Sequence, residues 1–143
     1  MNLSAKTIYA FKALTELSLR YGGSDPVQIS EIADKQKIPK KFLIQILIQL
    51  KNHGIVRSSR GIAGGYSLVK SPDHLSLADV IKAVDESVFF QVSSAKKRYE
   101  SPLTTILYGI WADVSTTVED ALKEVTFDKI VSKLNHKSLI YHI

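Results

Sequence analysis

The stretch Gly54-Ile55-Val56-Arg57-Ser58-Ser59-Arg60-Gly61-Ile62-Ala63-Gly64-Gly65-Tyr66-Ser67-Leu68-Val69 decides how the rest of this chain is read. Ile55 to Ser59 and Tyr66 to Val69 have strand composition, and the glycine-rich turn between them predicts a β-hairpin. Arg60 puts a positive charge at its tip. Gly61, Gly64 and Gly65 would let the backbone run close to a phosphate or into a groove, whereas a plain hairpin would need them only for its turn. The segments before the hairpin weigh on that choice.

Working upstream, Pro39 suits the first turn of a helix that runs to about His53 and stops at Gly54. Its apolar stripe is Phe42, Leu43, Ile46, Leu47 and Leu50. Lys40, Lys41, Ile44, Gln45, Ile48 and Asn52 lie opposite. Before the break at Lys37-Ile38-Pro39, a short helix fits Ser30 to Gln36, with Ser30 as N-cap and Ile32 and Ala33 inward. Two short helices joined by a tight turn, the second basic on its outer face, form a helix-turn-helix, and a basic-tipped hairpin directly after it is a wing. The first helix is expected from Ser4 to Tyr21, with Ile8, Phe11, Leu14, Leu17 and Tyr21 inward and Gly22-Gly23 ending it.

Downstream, Ser76 caps a helix through about Asp85, with Asp79 in the capping-box position and Leu77, Val80, Ile81 and Val84 inward. Glu86 to Ser101 shows no clear period and includes Lys96-Lys97-Arg98, so it reads as a loop. A long helix follows from Pro102 to Val125. Its seam, Leu103, Leu107, Ile110, Val114, Thr117 and Ala121, is widened by Ile106, Trp111, Val118 and Leu122. So broad a stripe suits a dimer interface, formed by Leu107, Ile110, Trp111, Val114, Val118 and Ala121; the alternative is a helix folded into its own core. Thr126 can cap a last short helix bearing Phe127, Ile130, Val131 and Leu134, and the apolar tail from Leu139 to Ile143 is expected to dock. The fold class is mainly α with a small β-hairpin wing. Residues 1–85 make a winged helix-turn-helix, 86–101 an effector-type loop, and 102–143 a dimerisation helix with a docking segment.

Charge points to the same half of the chain. Between Asp34 and Asp73 there is no acidic residue, yet there are eight basic ones: Lys35, Lys37, Lys40, Lys41, Lys51, Arg57, Arg60 and Lys70. Residues 1–75 carry a formal charge of +6 and residues 76–143 a charge of −1. An acid-free basic surface suits a polyanion, and double-stranded DNA is the expected partner. At 143 residues and 45% hydrophobic content, one compact core with an appended helix is expected. No apolar run or leader marks a membrane span or export, so a cytoplasmic location is expected, nucleoid-associated when on DNA.

Cysteine is absent, which removes disulfides, thiol redox switches and thiolate-ligated metal clusters together. His53, His74, His136 and His142 share no metal-ligand spacing, and no cofactor is expected. There is no G-x-S-x-G elbow, H-E-x-x-H motif or phosphate-loop lysine, and an enzyme is the least supported class. The remaining alternative to a DNA-binding regulator is a protein-interaction or small-ligand-responsive module on the same fold, with weak or lost specific DNA binding.

Three segments carry a resemblance to a known family. They are Leu3-Ser4-Ala5-Lys6-Thr7-Ile8-Tyr9-Ala10, the run from Gly54 to Gly61 into Gly64-Gly65-Tyr66, and Ala78-Asp79-Val80-Ile81-Lys82-Ala83-Val84-Asp85-Glu86. On these the chain resembles the Rrf2 family of bacterial regulators, and its lack of cysteine places it in the cysteine-free, CymR-like branch. The resemblance implies a homodimeric winged helix-turn-helix regulator, a repressor in the preferred reading and an activator in the alternative, acting on a dyad operator, with a metabolic enzyme or small molecule as effector. It implies that Lys41, Ile44 and Gln45 address base edges and that Arg60 enters a minor groove. Ser4, Lys6 and Tyr9 would lie near phosphates. Lys40, Arg57, Ser59, Gly61, Gly64, Gly65 and Tyr66 complete the expected DNA-binding set. Lys37 stands where relatives often have a turn glycine, which implies mild strain. Ile44 replaces a polar base reader found in some relatives. Cluster-binding relatives carry three cysteines in the loop after residue 86 and some a His where this chain has Tyr108; neither feature is present here.

Overall fold

Ser4 starts the chain's first helix, its Oγ accepting the Thr7 N–H at 3.1 Å. The computed structural model describes residues 2–89 and 101–141. Helix α1 spans Ala5–Leu19, and its buried face is Thr7, Ala10, Ala13, Leu14, Glu16, Leu17 and Ser18. This corrects the expected stripe: Leu14 and Leu17 are inward, but Ile8 is 40% exposed and Tyr21 lies past the helix end, exposed. The small side chains of Ala10 and Ala13 let neighbouring helices close in, so packing selects a face rotated away from the largest apolar residues.

Helix α2 (Ile29–Gln36) has Gln28, not Ser30, at its N-cap and no side-chain cap. Its entry is set by backbone instead. Val27 and Tyr66 exchange two hydrogen bonds of 2.8 Å, tying the chain ahead of α2 to the hairpin. Lys37 ends α2 in the left-handed region at φ 54°, at the corner where the resemblance implies mild strain. Helix α3 (Lys40–Asn52) follows with Pro39 at its N-cap, one place before the expected first turn. Leu43, Ile46, Leu47 and Leu50 are buried as expected; Phe42 is not, and stands 56% exposed. Gly54, at φ 70°, turns the chain out of α3.

The hairpin pairs β1 (Val56–Ser59) with β2 (Gly65–Leu68) in the register Val56↔Leu68, Arg57↔Ser67, Ser58↔Tyr66 and Ser59↔Gly65. Val56 and Leu68 root it in the core. Helix α4 (Leu77–Val84) begins with the expected capping box: Ser76 Oγ accepts the Asp79 N–H at 3.2 Å, and Asp79 Oδ2 accepts the Ser76 N–H at 3.0 Å. Val80, Ile81 and Val84 are buried and Leu77 partly so. Glu86–Phe89 form one tight helical turn, and residues 90–100 of the expected effector loop lie outside the described residues.

Helix α5 spans Pro102–Lys123, capped by Ser101 Oγ accepting the Thr104 N–H at 3.2 Å, and none of its residues is buried. A helix folded into its own core is thus not what the single chain forms. Helix α6 (Phe127–Tyr141) is anchored at its start, where the Leu77 N–H bonds the Val125 carbonyl at 2.9 Å and the Phe127 N–H bonds the Leu75 carbonyl at 3.0 Å. Phe127 is 0% exposed and meets Phe11 edge-to-face at 6.3 Å. The expected short helix runs for 15 residues because Leu139 to Tyr141 continue it. Those residues do not dock on their own chain: Tyr141 is 75% exposed, and His142 and Ile143 lie outside the described residues. No helix among the described residues is long and apolar enough to cross a membrane.

Candidate nucleic-acid interface

Lys40 opens α3 at the foot of the wing. Together with Ile29 and Ser30 at the start of α2, it borders a groove of about 450 Å³ whose other wall is the wing, including Ser59, Arg60, Gly61, Gly64, Gly65 and Tyr66. Lys41, Gln45 and Ile48 are exposed along α3, and Ile44 is half-buried. A neighbouring crevice of about 340 Å³ brings Lys6 and Tyr9 of α1 against Phe42, Gln45 and Ile46 of α3. Most of the expected residues thus gather along α3, with the wing on one side and the start of α1 on the other.

Among the described residues several of the cations there have no carboxylate partner. Elsewhere, Lys35 lies 3.7 Å from Glu16 and 3.5 Å from Glu31, and Arg20 also pairs with Glu31. The Arg20 hydrogen bond, reinforced by Lys35, holds the Glu31 carboxyl below the usual glutamate range. Among the described residues no ion pair engages Lys6, Lys40, Lys41 or Arg60. Cations left without carboxylates attract an external anion more strongly than paired ones.

Some expected residues have other commitments. Ser4 Oγ caps α1 and also bonds the Thr7 hydroxyl at 3.0 Å. Strand alternation puts Arg57 on the opposite hairpin face from Ser58, and its Nε donates to Ser67 Oγ at 3.2 Å. It does not border the groove that holds Lys40 and Arg60. Gly65 and Gly64 answer to the hairpin's own packing: a Cβ at Gly65 would lie 2.3 Å from the Val27 carbonyl oxygen, and one at Gly64 2.5 Å from that of Ser59.

Sequence reasoning does not place three residues that border the crevice or hold the wing. Phe42, expected in the core, forms a wall of the α1–α3 crevice. Ile62 is fully exposed at the wing tip, and its carbonyl accepts from Gln28 Nε2 at 3.3 Å. Its signal was an apolar side chain at the midpoint of a turn. Lys51 donates to Ser58 Oγ at 2.7 Å, pinning β1 to α3.

On the separate question of self-association, Leu107, Ile110, Trp111 and Val114 are all exposed along α5, with Trp111 at 59%; Ala121 is exposed and Val118 half-buried.

Residues 3–133 match the Rrf2 family, described as an iron-dependent transcriptional regulator. The chain is 33% identical over 132 residues to the HTH-type transcriptional regulator IscR of Sodalis glossinidius, covering 92% of this chain and 79% of that one. Its fold is similar to that of CymR, the global cysteine regulator of B. subtilis, with a TM-score of 0.74 and 26% identity over 93% of this chain and 98% of that one. It is also similar to T. potens IscR, with a TM-score of 0.73 and 25% identity over 94% and 88% of the two chains. A thiolate-held iron cluster does not fit these residues, since the sequence contains no cysteine. Among the described residues no three His, Asp or Glu side chains are grouped to hold a metal.

Proposed function

The chain belongs to the Rrf2 family of transcriptional regulators, and on that premise we propose that it is a homodimeric, sequence-specific DNA-binding repressor acting on a dyad operator in the cytoplasm without an iron–sulfur cluster. Its relatives are named regulators, and the chain is a transcriptional regulator rather than an enzyme. The observation that carries the finer reading is the pair of unpaired cations, Lys40 and Arg60, on facing walls of one groove between α3 and the wing.

In this reading α3 lies in a major groove, where Gln45 bonds adenine and Ile44 packs on a thymine methyl. Arg60 enters the adjacent minor groove, whose negative potential is deepest where A·T pairs narrow it. Lys6 and Tyr9 border the flanking backbone. Two copies would present two α3 helices about one helical turn of DNA apart.

Gel-shift titration on genome-selected operator and on random duplex, across a salt series, tests this. Log affinity falls with log salt at about −0.9 per phosphate contacted. Lys40→Ala weakens both DNAs alike and flattens that slope, while Arg60→Ala costs about 1–3 kcal/mol on the operator and less on random duplex. A salt-independent affinity would sink the reading, and equal losses for Arg60→Ala would demote that residue to a backbone contact. A promoter reporter that falls, rather than rises, when the gene is deleted would overturn repression.

A further inference from the structure

A third cavity, of about 360 Å³, lies between the end of α1, the 21–27 loop and the hairpin, and meets the groove that holds Lys40 only at Ser59 and Tyr66. Leu17, Val27 and Leu68, each at most 3% exposed, close its floor. Arg20 and Arg57 supply its cations, but Arg20 is already bonded to Glu31. Among the described residues Arg57 is in no ion pair. Its bond to Ser67 Oγ fixes the guanidinium, and its terminal nitrogens make no other hydrogen bond or ion pair among the described residues. A planar, oriented donor fork matches a carboxylate. Tyr21, exposed at the rim, adds an aromatic side to the apolar floor.

We propose that this cavity binds a small organic carboxylate, gripped by Arg57, with its short body lying against Tyr21 and Pro26. Asp25, the one carboxylate among the lining residues, forms no ion pair with either arginine, and its charge opposes the ligand's. The site spans the seam where Val27 pairs with Tyr66, the only backbone tie between the 21–27 loop and the hairpin among the described hydrogen bonds. An occupant therefore braces the wing that carries Arg60. The coupling to operator affinity rests on the DNA-binding reading above; the binding site does not. A DNA phosphate could supply the same anionic chemistry, but Arg57 is not among the residues that line the Lys40 groove.

Calorimetric titration of the full chain with hexanoate, benzoate and inorganic phosphate separates these sources. Hexanoate and benzoate bind saturably and more tightly than phosphate. Arg57→Gln weakens them about tenfold or more, as for a lost charge-assisted hydrogen bond. Asp25→Asn, which removes the opposing charge, tightens them. The proposal is overturned by the absence of saturable carboxylate binding, by phosphate binding equally well, or by a folded Arg57→Gln protein that binds hexanoate as before but has lost operator affinity. Hexanoate that binds without moving operator affinity overturns the coupling alone. A protein that binds hexanoate but no DNA would instead sink the DNA-binding reading and leave the site standing.

Discussion

Gly65 has no room for a side chain. The missing methyl would lie 2.3 Å from the Val27 oxygen and 2.6 Å from its carbonyl carbon, both backbone atoms that cannot swing aside. Gly65→Ala must therefore push the hairpin off the 21–27 loop or break the Val27–Tyr66 pair. The expected cost is about 1–3 kcal/mol, in the range for overpacking, read as a lower Tm in a circular-dichroism melt. Any lost DNA affinity should track that loss of stability. A variant with unchanged Tm and weakened DNA binding would show that DNA, not the fold, requires this glycine. Lys37 is a different case: the resemblance implies mild strain at that corner, and the structure shows its form, a left-handed backbone at φ 54°.

Among the elements, α4 and α5 are joined through one carboxylate. Glu119 of α5 is partly buried, accepts a hydrogen bond from Lys82 of α4, and lies 3.3 Å from Lys123. The Lys82 bond, with Lys123 adding to it, holds the Glu119 carboxyl below the usual glutamate range. A carboxyl whose folded value is depressed stabilises the fold above its unfolded value and loses that contribution as the pH falls through the folded one. Glu119→Gln should therefore melt earlier than the parent near neutral pH, with the gap closing in acid. A gap that stays constant across the titration would mean that the charge contributes nothing to this joint. The capping box at Ser76 is the contrasting element: it was readable in four consecutive residues because both bonds close within one turn.

On the scale of the molecule, the core is built from α1 to α4, the hairpin and Phe127, while α5 and the end of α6 leave a large apolar surface on the single chain. Exposure of Leu107, Ile110, Trp111 and Val114 together is unusual for a monomer. Val114→Lys should give a folded monomer by light scattering, with operator binding lost and weak non-specific binding retained, because one copy spans only one half-site. A dimer that still binds the operator would remove α5 from the assembly. The whole protein also lacks thiols. It should purify colourless, and its DNA affinity should not respond to oxygen, nitric oxide or thiol reductant in the same gel-shift titration.

What the sequence determined by itself is local. The hairpin and its charged tip, the cap at Ser76, the stop at Gly54 and the exclusion of a thiolate cluster each depend on residues a few positions apart or on composition. Tertiary structure decided the rest. It chose the face of α1, because periodicity permits several stripes on an apolar-rich helix and only the neighbours' shape selects the one lined by Ala10 and Ala13. It turned Phe42 outward into a crevice with Tyr9, carried α6 through Tyr141, and put Arg57 and Arg60 at two different cavities. It also made Gly65 a packing requirement by bringing Val27 against it, a meeting of residues 38 positions apart that no short-range pattern records.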